Sequence, residues 1–400
     1  MATDSSVDLV RPPAWFGVGA RSPLRRGRML RRGSLPLRAL RGTGNALHQR
    51  RHGLLTLIFA CSLWCVPPPP VHAEAVAASP ARAANPERSD PAFSVAIKQL
   101  NYESPLSTRP LPLMLWYPTD AQETSVVIRH LQLRAVPDGR PRDGLHPLVI
   151  LSHGSGGSHL SHWRTAQFLA KHGYVVATPV HALDNAQDLQ GSSTLKVWAN
   201  RPREWDAALD AVLASELARS VDTRRVVAMG FSAGAYTALV AGGAQPSSLA
   251  LDQYCLDHPH GDVMCLDHDV VAPGRIHGQR KLSHMQEQLR PVPAVRAAAV
   301  VAMAPVGDAL FTAQGLKRLR LPTLLLQGSD DTVLTYPNDA RYVHAQLKTR
   351  ADYFTVPGGH EVFLSLGFEG SESEAHLAAL ARAHGLIQTF LSSIDWEAPR

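Results

Sequence analysis

The chain has 400 residues, 45% of them hydrophobic, which is enough to bury the core of one large α/β domain or two smaller ones. Its formal net charge is +6, but residues 1–73 hold eleven arginines, no lysine and only Asp4 and Asp8, a net of +9 that leaves −3 for the rest. The basic character therefore belongs to the leader, and a nucleic-acid partner for the working domain is excluded.

In chain order, the leader reads as an export signal. "HQRRH" (48–52) is a basic region, "GLLTLIFACSLWCV" (53–66) an apolar run, and "VHA" ending at Ala73 a small-x-small cleavage site. The apolar run is shorter than the about 20 residues a membrane span needs, so cleavage after Ala73 and no stable span afterwards are expected. A start at Met29, a twin-arginine reading of Arg50 and Arg51, and a lipidation reading of Cys61 remain as alternatives. Gly53 opposes the second and Phe59 the third. The location that follows is periplasmic or secreted. Residues 74–92 are rich in Ala and Pro, without periodicity, and read as a linker.

From residue 93 a single domain to residue 400 is expected. "SVAIKQLNY" (94–102) and "LPLMLWYP" (111–118) read as a strand pair near a sheet edge, and "HPLVILS" (146–152) as a strand buried on both faces. A helix follows over 160–173, stopped by Gly173, then a strand over 174–179 and a helix over 202–218. "RRVVAM" (224–229) leads into "GFSAG" and a helix-like run to 243. Residues 244–292 break the rhythm and read as a cap-like insertion over one end of the sheet. Strands at 297–305, 321–327 and 352–357 alternate with helices at 338–348 and within 372–392. The fold class expected is α/β, a mostly parallel sheet with helices on both faces and ligands at the carboxyl ends of the strands.

Four of those strand ends carry polar groups: "HGSGG" (153–157), "GFSAG" (230–234), "GSDDTV" (328–333) and "GGHEVF" (358–363). Ser232 is the candidate nucleophile, lifted above the sheet edge on a tight turn that requires Gly230 and Gly234. A serine hydroxyl needs a base and a carboxylate to orient that base. His360 is the expected base and Asp331 the expected acid, with Asp330 adjacent and Asp308 as an alternative delivered from the previous strand. The backbone amides of Ser155 and Ala233 are the expected oxyanion donors. "HGSGG" lacks the Gly-Lys-Ser/Thr of a phosphate loop, and His153 reads as a structural hydrogen-bonder.

Cys61 and Cys65 lie in the leader, so the exported chain keeps Cys255 and Cys265, an even pair suited to a disulfide. The histidines and aspartates around them lack zinc spacing, and a solvated polar insertion is favoured over a metal site.

Ser232, Asp331 and His360 in that order, with "HGSGG" upstream, resemble the α/β-hydrolase superfamily over about residues 94–393. More narrowly, "RPLPLMLWYPT" (109–119), "LSHGSGG", "GFSAGAYTAL" and "YC" (254–255) are similar to exported dienelactone-hydrolase-like proteins, related to the platelet-activating factor acetylhydrolase group. Dienelactone hydrolase uses a cysteine where Ser232 stands here, so lactone chemistry does not carry over. The resemblance implies a serine esterase acting through an acyl-enzyme on a small-molecule or lipid-like ester, as a monomer and with no metal or organic cofactor. An amidase or peptidase, an acyltransferase, and a non-catalytic binding protein on the same fold are the alternatives.

Overall fold

The computed structural model describes residues 93–397 except 130, 193, 259–263, 265–288, 290–293, 335–338, 348–350 and 366–371. The expected export leader (1–73), the linker (74–92), Cys265 and much of the 244–292 insertion lie outside the described residues.

The chain opens with β1 (Ser94–Tyr102) and β2 (Leu111–Thr119), an antiparallel pair with Ser94 opposite Thr119 and Tyr102 opposite Leu111. Two strands not expected from sequence follow, β3 (Thr124–Ile128) and β4 (Leu131–Pro137). They form an antiparallel hairpin that joins the sheet where β4 runs parallel to β1. In β4 the buried Leu131, Leu133 and Ala135 alternate with exposed Gln132 and Arg134, the period of a strand with one face inward.

The remaining strands are β5 (His146–Ser152), β6 (Val175–Pro179), β7 (Val221–Phe231), β8 (Ala299–Met303), β9 (Thr323–Gly328) and β10 (Ala351–Val356). Among the described residues the sheet order is β10-β9-β8-β7-β5-β6-β2-β1-β4-β3, and from β10 to β6 every neighbouring pair is parallel. Their carboxyl ends therefore share one edge, as the α/β reading requires.

Helices cover both faces. In β5, Leu148 and Ile150 face one core with Trp198, Trp205, Leu209, Tyr236 and Leu239. Val149 and Leu151 face the other, with Trp163, Leu169, Ile387 and Leu391. The first set of helices is α2 (Leu195–Leu213) and α3 (Ala233–Ala241), and the second contains α1 (Trp163–Lys171). Gly173 follows α1 with φ +92°, a left-handed stop that glycine adopts without a Cβ clash.

α2 begins seven residues earlier than the sequence indicates. Thr194 caps it by accepting from the Val197 amide, and Pro202, expected at the helix start, lies inside. Proline lacks the N–H that would reach the carbonyl four residues back, at Trp198. That carbonyl instead accepts from the Tyr236 hydroxyl of α3 at 3.0 Å.

The insertion holds a helix, α4 (Ser248–Asp257), capped by Ser247. Its Leu251 and Cys255 are buried in the same core as Met264 and Leu289, so its described parts are anchored in the domain. Among the described residues three further helices follow: α5 (Ala313–Leu316), α6 (Ala340–Leu347) and α7 (Glu374–Ser393), the last on the face of α1. None of the described helices is long and apolar enough to cross a membrane.

Candidate active site

At the end of β7 the chain reverses at Ser232, with φ 54° and ψ −117°, and enters α3 at Ala233. A non-glycine residue in that region is strained and persists only where its surroundings hold it. Ser232 N–H donates to the Met303 carbonyl of β8 at 2.9 Å. A Cβ on Gly230 would lie 2.0 Å from the Gly234 carbonyl oxygen, and one on Gly234 the same distance from the Ser152 carbonyl oxygen. Both glycines are therefore required by contact with backbone, which cannot yield.

His360 follows β10 at the start of a short 3₁₀ turn, His360–Phe363, buried against the Phe231 ring at 4.8 Å between centroids. Its Nε2 lies 3.1 Å from Ser232 Oγ and its Nδ1 2.8 Å from Asp331 Oδ2. The geometry assigns the proton to Nδ1, donating to the carboxylate, and leaves Nε2 to accept from the serine hydroxyl. Asp331 is held in turn by the Val333 and Leu334 amides, which donate to its Oδ1 at 2.9 and 3.0 Å. The acid and base loops are joined directly: Ser329 N–H donates to Val356 O and Asp330 N–H to Gly358 O, at 2.8 and 2.9 Å.

Of the other acids, Asp330 accepts from its neighbour Ser329 Oγ and is not on the imidazole. Asp308 sits in the turn after β8, where its charge is felt by Tyr342 of α6. The structure thus brings Ser232, His360 and Asp331 together, with Asp331 as the carboxylate on His360 Nδ1.

The 153–157 loop packs beside the nucleophile, since a Cβ on Gly154 would lie 3.4 Å from Ser232 Cβ. Ala233 is the first residue of α3, where an N–H has no intrahelical acceptor. Ala233 thus directly follows Ser232, and Ser155 directly follows the Gly154 that packs against it.

Beneath this loop lies a buried polar cluster that sequence reasoning did not single out. Arg201 of α2, fully buried, binds Asp184 through Nε and Nη2 to Oδ2 at 2.9 and 2.7 Å. It also donates to the carbonyls of His153 at 2.9 Å and Gly154 at 3.3 Å. Asp184 Oδ1 accepts from Ser155 Oγ at 2.5 Å and from Gly156 N–H at 3.2 Å. Burial would raise the Asp184 carboxyl, but the Arg201 charge and these hydrogen bonds hold it below its ordinary value.

Alongside, Glu204 Oε2 receives a 2.7 Å bond from His181 Nδ1, and Oε1 accepts from Ala182 N–H and Ser104 Oγ. Burial pushes the Glu204 carboxyl up to about 7, against those hydrogen bonds. Burial and Arg201 hold His181 neutral, so its contact with Glu204 is a hydrogen bond and not an ion pair. His153 is likewise held well below its ordinary value, first by burial and then by the Arg201 charge. Its Nδ1 donates to Gly154 O at 2.6 Å and its Nε2 accepts from His181 N–H at 3.1 Å, which makes it structural.

A cavity of about 250 Å³ is lined by Arg129, His159, Ser161, Trp163, Val180 and Gln187 among others, and by none of Ser232, His360 and Asp331. Segment 158–161 directly follows the 153–157 loop, and Ser365, which also lines the cavity, donates its amide to Ser161 O. Cys255 is buried in α4, and its expected partner Cys265 lies outside the described residues. Among the described residues, no group of three or more His, Cys, Asp or Glu is arranged to hold a metal.

Among solved structures, the chain is similar to a ferulic acid esterase from Streptomyces cinnamoneus, with 18% identity and a TM-score of 0.50 over 77% of this chain and 94% of that one. It is also similar to Thermogutta terrifontis esterase 2 phosphorylated by paraoxon, with 16% identity and a TM-score of 0.46 over 76% of this chain and 96% of that one. At its 18% identity, the likeness to the ferulic acid esterase is one of fold. No curated protein sequence matches the chain. Residues 149–371, more than half its length, match the alpha/beta hydrolase family, and with the parallel sheet and the strained turn already in view, that is the family to which this chain belongs.

Proposed function

We propose that the protein is an exported serine hydrolase of carboxylic esters, narrowed by its motifs to the dienelactone-hydrolase-like and platelet-activating factor acetylhydrolase-like esterases. The observation that carries this reading is the relay from Ser232 Oγ through His360 to Asp331, at 3.1 and 2.8 Å, on a strained turn. His360 takes the hydroxyl proton as Ser232 attacks the ester carbonyl, and Asp331 stabilises the imidazolium that forms. The amides of Ser155 and Ala233 receive the oxyanion. His360 then returns the proton to the leaving alcohol, and a water activated by the same ring releases the acid from the acyl-enzyme.

The working unit is the domain from residue 93 to 400, behind a leader removed after Ala73. Segment 244–292 shapes the acyl or alcohol pocket as a cap, anchored by Leu251, Met264 and Leu289 and closed by a Cys255–Cys265 disulfide. It acts as a monomer on a small-molecule or lipid-like ester.

The test is turnover of p-nitrophenyl esters from acetate to decanoate by the mature protein. Hydrolysis with a maximum at short acyl chains is expected, and no turnover across the series would contradict the reading.

A further inference from the structure

The direction of the proposed oxyanion donor is set from beneath, and we infer that Arg201 and Asp184 are positioning residues for the Ser155 amide. In a planar trans peptide, the carbonyl of one residue and the N–H of the next point in opposite directions. The Gly154 carbonyl is drawn into the protein twice, by Arg201 Nη2 at 3.3 Å and by His153 Nδ1 at 2.6 Å. The Ser155 N–H on the same peptide must then face outward, on the side away from Arg201. Arg201 Nη1 treats the preceding carbonyl, of His153, in the same way at 2.9 Å.

The far side of the loop is tied to the same pair, because Asp184 Oδ1 takes both Ser155 Oγ and Gly156 N–H. Asp184 itself cannot drift. It lies in the turn after β6, where Asn185 Nδ2 donates to the His181 carbonyl at 2.7 Å, and Arg201 grips its other oxygen by two donors. One buried ion pair therefore connects the loops after β5 and β6 to α2. Neither residue touches Ser232, His360 or Asp331, so both act through the loop. A lysine could not replace Arg201, since a single ammonium cannot span a carboxylate and two carbonyls in one plane.

This inference rests on the esterase reading and is tested separately from it. The variants are Arg201→Lys, Asp184→Asn and Ser155→Ala, the last removing the hydroxyl that bonds Asp184 Oδ1 and Ser192 Oγ. Each is assayed for kcat and KM on p-nitrophenyl acetate and for inhibition by a short-chain trifluoromethyl ketone, whose adduct carries the oxyanion. Hydrogen exchange of the peptide covering residues 153–161 reports loop order without catalysis. The expected result for Arg201→Lys and Asp184→Asn is a kcat lower by about 100-fold, with KM within about twofold and the ketone weakened in parallel. For Ser155→Ala the expected loss is about tenfold by the same measures.

Faster exchange of the 153–161 peptide should accompany each loss. If Ser155→Ala and either folded variant keep kcat and ketone affinity within twofold of the parent, the inference is overturned. A wild-type protein that hydrolyses no ester would instead overturn the esterase reading, whatever the exchange data.

Discussion

Tyr236 of α3 and Trp198 of α2 are joined by one hydrogen bond, hydroxyl to carbonyl at 3.0 Å, and the carbonyl is the one that Pro202 leaves without its helical donor. The rings also meet edge to face at 4.9 Å. A proline inside a buried helix is thus compensated by the helix that follows the nucleophile. Tyr236→Phe keeps the ring and strands the carbonyl, so a loss of about 1–3 kcal/mol is expected in urea denaturation. An unchanged midpoint would mean that the carbonyl finds another donor.

The two glycines of the elbow have different weight from ordinary turn glycines, because a Cβ added at either would lie 2.0 Å from a backbone oxygen. Gly234→Ala should lower stability by about 3 kcal/mol or more, through forced displacement of β5 against α3. Thermal melts of Gly234→Ala beside the parent measure this directly.

The choice of acid is also open to a direct comparison. Asp331→Asn removes the acceptor that holds the His360 tautomer, and kcat should fall by roughly 10³–10⁴-fold. Asp308→Asn, in the turn after β8, should leave kcat within about threefold of the parent. Steady-state kinetics on one ester separates the two, and the reverse ranking would move the acid to β8.

Glu204 gives the fold a pH dependence of known sign. Its carboxyl is raised to about 7 when folded, by burial, whereas an exposed glutamate titrates near 4.3. Between those values the unfolded chain has lost a proton that the native state retains, so this group's contribution to stability falls as pH rises and is level above about 7. Glu204→Gln should therefore gain on the parent from about pH 4.5 to pH 7, by an amount on the order of a few kcal/mol. Chemical denaturation at several pH values measures that difference, and a gap that does not grow with pH would refute the assignment.

The sheet was legible because its central strands are short, continuous apolar runs, as in "HPLVILS". The relay was legible because three strands end in residues whose chemistry is complementary. The start of α2 was misplaced for a definite reason: Pro202 is a good first-turn residue, and nothing local announces that Tyr236 will serve the carbonyl behind it. The β3–β4 hairpin was overlooked although Leu131, Leu133 and Ala135 alternate with polar residues. Asp184, Arg201 and Glu204 carry no motif. Their buried role arises from three elements meeting, which spacing along the chain does not encode.

The central claim is that Ser232 is a nucleophile activated by His360. It is tested most directly by treating the mature protein with a fluorophosphonate probe and locating the adduct by peptide mass. One adduct is predicted, on the peptide containing Ser232, abolished by Ser232→Ala and strongly slowed by His360→Ala. No adduct on the folded protein, or one that survives Ser232→Ala, would contradict the account.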